Sequence, residues 1–298
     1  MIFLLWLLVS LVVFFGLGII TGWLERKLTA RLQWRVGPPW WQNLADFVKL
    51  LGKEVVVPET ATSFFSLAPV IGLAAVTTAG AMILLAAFQP GSSVDLIVLI
   101  YILVLPSLSL ILAGASSGNP LASVGVAREL KLMLGYELPF ILALLVPVVK
   151  AGTTNLGVLF RLQLAQGMTV GSISGLLAFG VALLTIQGKI GGVPFDVSEA
   201  ETEIASGLLI EYSGLLLGIF KLTRWMLTAV AVFFLVFYFW AGLSRVPSAI
   251  GKYLLIVILL VLIKNTNPRL RIDQAMKFFW GWLTGISVTA ILFAYLGW

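Results

Sequence analysis

Five of the thirteen acidic residues fall within one short stretch: Asp196, Glu199, Glu201, Glu203 and Glu211. Carboxylates crowded in this way raise one another's pKa and share protons, which is the chemistry of a proton or cation path. Gly188, Gly191, Gly192 and Pro194 mark a turn just ahead of them. If the segment is helical, Asp196, Glu199 and Glu203 share a face and Glu201 points elsewhere. The plainer alternative is a solvated acidic loop capping a helix N-terminus. Further charges stand inside apolar sequence: Glu137 beside Tyr136, Glu211 beside Tyr212, and Lys221 and Arg224 three positions apart. A charge at mid-helix opposes membrane insertion by roughly 2.5–3.5 kcal/mol, so four bare ones would oppose it by about 10 kcal/mol. They must pair or face water. Lys221 and Arg224 share a helix face and need acids from elsewhere. With Glu137 and Glu211 inside apolar runs, an ion path built from all eight residues is the favoured reading.

Composition excludes most other chemistry. The chain has 298 residues, 60% hydrophobic and 11% charged, with a mean hydropathy of +1.08. Soluble domains carry about 25% charged residues, so a soluble enzyme is excluded. Cysteine and histidine are both absent. No thiolate or imidazole is available for an iron–sulfur cluster, haem, nickel–iron centre or structural zinc. Disulfides and histidine-dependent hydrolases are excluded too. Any redox centre therefore sits on another chain. The net charge of +6 does not point to nucleic acid, because the basic residues flank apolar runs as in a multi-pass membrane protein.

The expected fold is all-α: a single transmembrane domain over 1–298 with about eight spans, placed at 2–24, 64–88, 94–115, 123–149, 170–187, 204–240, 248–265 and 276–297. The first run lacks a basic n-region and is too long for a leader's apolar segment, so it reads as a true span. Thirteen of the nineteen basic residues fall in the odd loops. Only Lys150, Arg161, Arg245 and Lys252 fall on the opposite side, which predicts cytoplasmic odd loops and both termini outside. Two cytoplasmic loops stand out, the first over 25–63 and an acidic one over 188–203. In the first, Trp40–Val57 places Leu44, Phe47, Val48, Leu51 and Val55 at helical spacing, with Asp46, Lys49, Lys53 and Glu54 opposite. This predicts an amphipathic helix lying on the lipid interface, with Trp40 and Trp41 at headgroup depth.

The same residues carry a family resemblance. Glu25-Arg26-Lys27, Gln33-Trp34-Arg35-Val36-Gly37-Pro38, Leu44-Ala45-Asp46 and Lys49-Leu50-Leu51-Gly52-Lys53-Glu54 resemble the first cytoplasmic loop of the complex I H-subunit family, that of subunit 1 of the mitochondrial NADH dehydrogenase and its prokaryotic relatives. So does the run from Pro194 to Glu203, followed by Ser206-Gly207 and Glu211-Tyr212-Ser213-Gly214, and the pair Tyr136-Glu137. The resemblance implies a membrane subunit, plasma-membrane in location, that docks a peripheral redox arm and couples it to ion movement. It implies an acidic funnel of Asp196, Glu199, Glu201, Glu203, Glu211 and Glu137. It also implies a docking surface and redox-coupling cavity of Glu25, Arg26, Arg35, Asp46, Lys49, Lys53 and Glu54, joined by Arg128 and Glu129.

Two departures narrow the branch. The stretch between Gly37-Pro38 and Ala45-Asp46 is short, and Gln187-Gly188-Lys189-Ile190-Gly191-Gly192-Val193 replaces the usual Glu-Thr-Asn-Arg. With Arg128-Glu129 and Asn267-Pro268-Arg269-Leu270-Arg271-Ile272-Asp273, these resemble the M subunit of archaeal membrane-bound hydrogenases and sulfur reductases. Implied partners are lipid, a peripheral iron–sulfur small subunit, a large catalytic subunit and antiporter-like membrane chains. Iron–sulfur clusters, and nickel–iron in the hydrogenase case, would belong to those partners. The alternatives are the quinone-binding membrane subunit of an NADH-quinone oxidoreductase, a stand-alone ion transporter and a purely structural anchor.

Overall fold

A computed structural model describes residues 2–89, 91–241 and 246–297; Arg245 lies outside them. Among the described residues the regular structure is helical, with no strands. In order, the helices are α1 (Ile2–Leu32), α2 (Gln42–Leu51), α3 (Phe64–Phe88), α4 (Leu96–Ser116), α5 (Pro120–Ala151), α6 (Leu156–Gln166), α7 (Ile173–Lys189), the single turn α8 (Glu201–Ile204), α9 (Gly214–Trp240), α10 (Val246–Thr266), α11 (Ile272–Lys277) and α12 (Thr284–Tyr295). A π-helical turn over Phe278–Leu283 joins the last two into one rod. Seven of these, counting that rod once, are long and apolar enough to cross a membrane. The eighth expected span is α7, whose seventeen residues reach roughly 26 Å at about 1.5 Å each, near the lower limit for a span.

α9 is the axle of the bundle. Its residues are buried almost all round from Leu222 to Phe239, as an evenly apolar helix requires. α1, α2, α3, α7 and α10 pack on it. α1 comes closest at Gly18, where a Cβ would stand 3.0 Å from the backbone of Trp225 and Met226. Small residues permit such approach between helices in lipid. α5, α7 and α12 form a second group around Tyr136 and Phe279.

Ion pairs place the basic segments at one end. Lys264 at the end of α10 reaches Glu25 (2.6 Å), Arg26 reaches Asp46 (3.0 Å), and Arg128 reaches Glu203 (2.6 Å). Arg269, in the loop before α11, binds Asp196 through Nε at 2.9 Å. The opposite end is tied by backbone bonds from Leu96 to Thr154 and from Leu156 to Val94, and by Lys150 to Ser172. α7 therefore returns the chain to the basic end.

Several boundaries depart from expectation. α1 runs on to Leu32, so Glu25 and Arg26 lie on a helix rather than in a loop. The amphipathic helix covers Gln42–Leu51 and leaves Val55 beyond it. α6, unforeseen, packs at the end opposite the basic segments, where Gln163 accepts from the Ala241 amide at the end of α9. The sixth span begins at Gly214 rather than 204, because Ala205, Ser206 and Gly207 all take left-handed backbone conformations. Glu211 thus precedes the helix instead of lying within it. The acidic segment is not a helix either: only Glu201–Ile204 makes a helical turn, so Asp196, Glu199 and Glu203 share no helix face.

Candidate ion path and docking surface

Instead of crowding together, the acids are handed out to separate cations. Asp196 binds Arg269, Glu199 binds Arg224, and Glu203 binds Arg128. Arg224 Nη1 donates to Glu199 Oε2 and Nη2 to the Gly191 carbonyl, both at 2.5 Å. Asp196 and Glu203 act as tethers: with the Leu270 amide on the Pro194 carbonyl, they fasten the segment to α5 and to the approach to α11. The segment lies tight on α5 at Gly125, where a Cβ would meet the Leu208 amide at 3.0 Å and the Ser198 carbonyl at 3.1 Å. Glu211 accepts from Asn119 Nδ2 at 2.6 Å. The side chain of Glu201 lies outside the described residues.

Two polar cavities meet in the bundle. The first, about 360 Å³, is lined by Ser107, Glu129, Lys189, Ser198 and Glu199 among others. The second, about 430 Å³, contains Glu25, Arg26, Asp46, Gln187 and Lys264. Ile190, Lys221 and Arg224 line both and form the wall between them. Lys221 is exposed to this space, and no ion pair to it is found among the described residues. The expectation that Lys221 and Arg224 need distant acids thus holds for Arg224.

Glu129 changes place. Its carboxylate is buried and accepts from Ser198 Oγ at 2.6 Å. It belongs to the first cavity, not to a docking face. Arg128, one residue earlier, serves as a tether. Deeper in α5, Glu137 pairs with Lys189 at 2.5 Å, and Tyr136 shares a 2.7 Å hydrogen bond with Ser107. In the sequence Lys189 reads only as a loop cation, since its partner lies 52 residues upstream.

The first loop separates into two faces. α2 packs inward through Asn43, Phe47 and Leu50, against Arg26, Phe15 and Gly218 respectively. Leu44, Val48 and Leu51 stay exposed beside Trp40 and Trp41. That is the apolar stripe an interfacial helix offers to lipid. Burial pushes the Asp46 carboxyl up, but hydrogen bonds from Arg26 and Gln42, with the charges of Arg26 and Lys49, outweigh it and hold the group below its ordinary value. Asp46 faces the second cavity, whereas Arg35, Lys49, Lys53 and Glu54 lie exposed outside it. Trp34 is 97% exposed beside Arg35.

One tyrosine outside the acid set closes a backbone gap. Pro69 cannot donate to the Phe65 carbonyl one turn back. The Tyr212 hydroxyl does so instead, at 2.9 Å, while its ring stacks on Phe65. Burial pushes that hydroxyl up to about 12.

A family model described as NADH dehydrogenase matches residues 5–295. The H subunit of the NADH-quinone oxidoreductase of Dehalococcoides mccartyi (strain CBDB1) is 33% identical, covering 96% of this chain and 85% of that protein. Hydrogenase-4 component C of Escherichia coli (strain K12) is 36% identical over 66% of this chain and 63% of its own length. Among solved structures, a chain of the archaeal membrane-bound sulfane sulfur reductase superposes with a TM-score of 0.89 at 27% identity, covering 98% of this chain and 99% of that one. With a helical membrane bundle and matches that run nearly end to end, the chain belongs to the NADH dehydrogenase H-subunit family and is a membrane subunit related to those of complex I.

Proposed function

We propose that this chain anchors a peripheral redox module to the plasma membrane and couples its electron transfer to ion movement. The observation that carries this reading is the pair of polar cavities sharing the Ile190–Lys221–Arg224 wall. A bundle this apolar retains buried charge only at a cost of several kcal/mol per group unless that charge is paired or hydrated. Here ionisable groups line a continuous series from Glu25 and Asp46, across Arg224, to Glu199 and Glu129. A change of charge or shape in a partner above the second cavity acts on Asp46 and Arg26 first. The Arg224–Glu199 pair then passes the change to Glu129, and Glu137 lies beyond, toward neighbouring membrane chains. Asp196, Glu203 and Arg128 hold the segment in place, and Glu211 has a local role at Asn119. With the basic end cytoplasmic, both termini face outside. Trp34, Arg35, Lys49 and Lys53 then meet the peripheral iron–sulfur and large catalytic subunits.

Sulfur-reducing or hydrogen-evolving chemistry is favoured by the near-complete superposition on the sulfane sulfur reductase chain and by the hydrogenase-4 match. The identity to the NADH-quinone oxidoreductase chain favours a quinone-reducing complex as the second reading. Mass spectrometry of the native complex, purified in mild detergent, separates them. A large subunit with two Cys-x-x-Cys pairs supports hydrogen evolution. One without a full set supports sulfur or quinone chemistry, and sensitivity to quinone-site inhibitors then decides. A chain that emerges alone and still moves ions sinks the coupling role. In the assembled complex, Glu199→Gln should lower ions moved per electron at least several-fold; an unchanged ratio would refute this path.

A further inference from the structure

Glu137 does not line the first cavity; Lys189 does. The Lys189 side chain is 2% exposed. Its Nζ lies 2.5 Å from Glu137 Oε1 and 3.4 Å from the Leu103 carbonyl. It also lies 4.8 Å from the Phe140 ring centre and 5.4 Å from that of Tyr136. The other carboxylate oxygen, Oε2, is buried without a hydrogen-bond partner among the described residues. Glu137 stands about 25 Å along α5 from Pro120, and Leu103 is well inside α4. The pair therefore lies within the bundle, and it is Lys189, not Glu137, that lines the first cavity.

We propose that Lys189 is the proton relay between the first cavity and Glu137. The inference rests on the coupling role above and adds a residue and a step to it. The lysine ammonium gives its proton to Glu137 Oε1: an N–H bond breaks, an O–H bond forms, and a neutral amine faces a neutral carboxylic acid. The amine then takes a proton from the cavity, where Glu129 and Glu199 stand. Charge is conserved at each step, and no oxidant or reductant is needed. Two physical features suit the pair to this. An ion pair in apolar surroundings is only marginally favoured over its neutral form, because desolvation offsets the Coulomb attraction. The aromatic faces and the Leu103 carbonyl hold the nitrogen in place, while only one carboxylate oxygen is engaged.

The relay differs from a fixed charge partner in one respect: it must lose a proton. Arginine keeps the positive charge but does not deprotonate in proteins. The test uses the whole native complex in sealed vesicles in sodium-free buffer, with a trapped pH dye and electron transfer recorded together. Co-purification of all subunits serves as the check on assembly. Lys189→Arg should lower protons moved per electron at least tenfold, as should Glu137→Gln. If Lys189→Arg pumps normally while Glu137→Gln does not, Lys189 is a structural counter-charge and the relay is wrong, although the coupling role stands. If both pump normally, or wild type moves no protons, the path itself fails and the relay with it. Should Lys189→Arg fail to assemble, infrared difference spectra of the wild-type complex between reduced and oxidised states carry the test. A protonated-carboxyl stretch that disappears in Glu137→Gln supports the relay, and its absence overturns it.

Discussion

Arg224 is the residue whose removal says most about the site. Arg224→Met keeps much of the stem and deletes both hydrogen bonds, to Glu199 Oε2 and to the Gly191 carbonyl. Two unit charges about 4 Å apart interact by about 1 kcal/mol in water and about 4 kcal/mol at an effective dielectric near 20. The Arg224 side chain is 41% exposed and that of Glu199 23%, so cavity water screens the pair toward the lower figure. The expected coupling between the two residues is about 1–3 kcal/mol. A double-mutant cycle isolates it: Arg224→Met, Glu199→Gln and the pair, each in the assembled complex. At about 2 °C per kcal/mol for a chain of this size, each single variant should lower the temperature of loss of assembly by several degrees. The double variant should be no worse than the weaker single. Thermal scanning with subunit retention as the readout measures this. If the two single effects add in the double variant, the pair is not coupled and does not pass a change of charge across the shared wall.

Tyr212→Phe should cost about 1–2 kcal/mol by leaving the Phe65 carbonyl unpaired; in a Pro69→Ala background, where a backbone amide returns, thermal scanning should find most of that cost gone. Gly125→Ala should force the acidic segment off α5, since its Cβ would meet two backbone atoms at 3.0 and 3.1 Å. A cost of about 1–3 kcal/mol is expected, together with faster proteolysis of the chain between Pro194 and Gly214, and an unchanged cleavage rate would contradict the close packing.

Much is legible in the order of residues because hydropathy is local. Twenty apolar residues in a row announce a span whatever surrounds them, and the bias of lysine and arginine to alternate loops identifies the end where Glu25, Asp46, Asp196 and Glu203 find their cations. The amphipathic spacing of Leu44, Val48 and Leu51 likewise needs no tertiary information to point at lipid. The missing cysteines and histidines leave no thiolate or imidazole in this sequence for a metal centre. What the order of residues leaves open is which charge answers which. Asp196 and Arg269 are 73 positions apart, Glu203 and Arg128 75, and Glu137 and Lys189 52. A pairing of that kind is decided by how helices lie against one another, and no periodicity records it.

For that reason the acids read along the chain as one crowded cluster, while the fold gives Asp196, Glu199 and Glu203 separate cations. For the same reason Glu129 reads as part of a docking face, Lys189 as an ordinary loop cation, and Glu211 as a residue of a span that in fact begins only at Gly214. Chain composition requires that the buried charges be compensated, since bare charge does not persist in an apolar bundle. Only the tertiary structure decides by which partner and around which cavity.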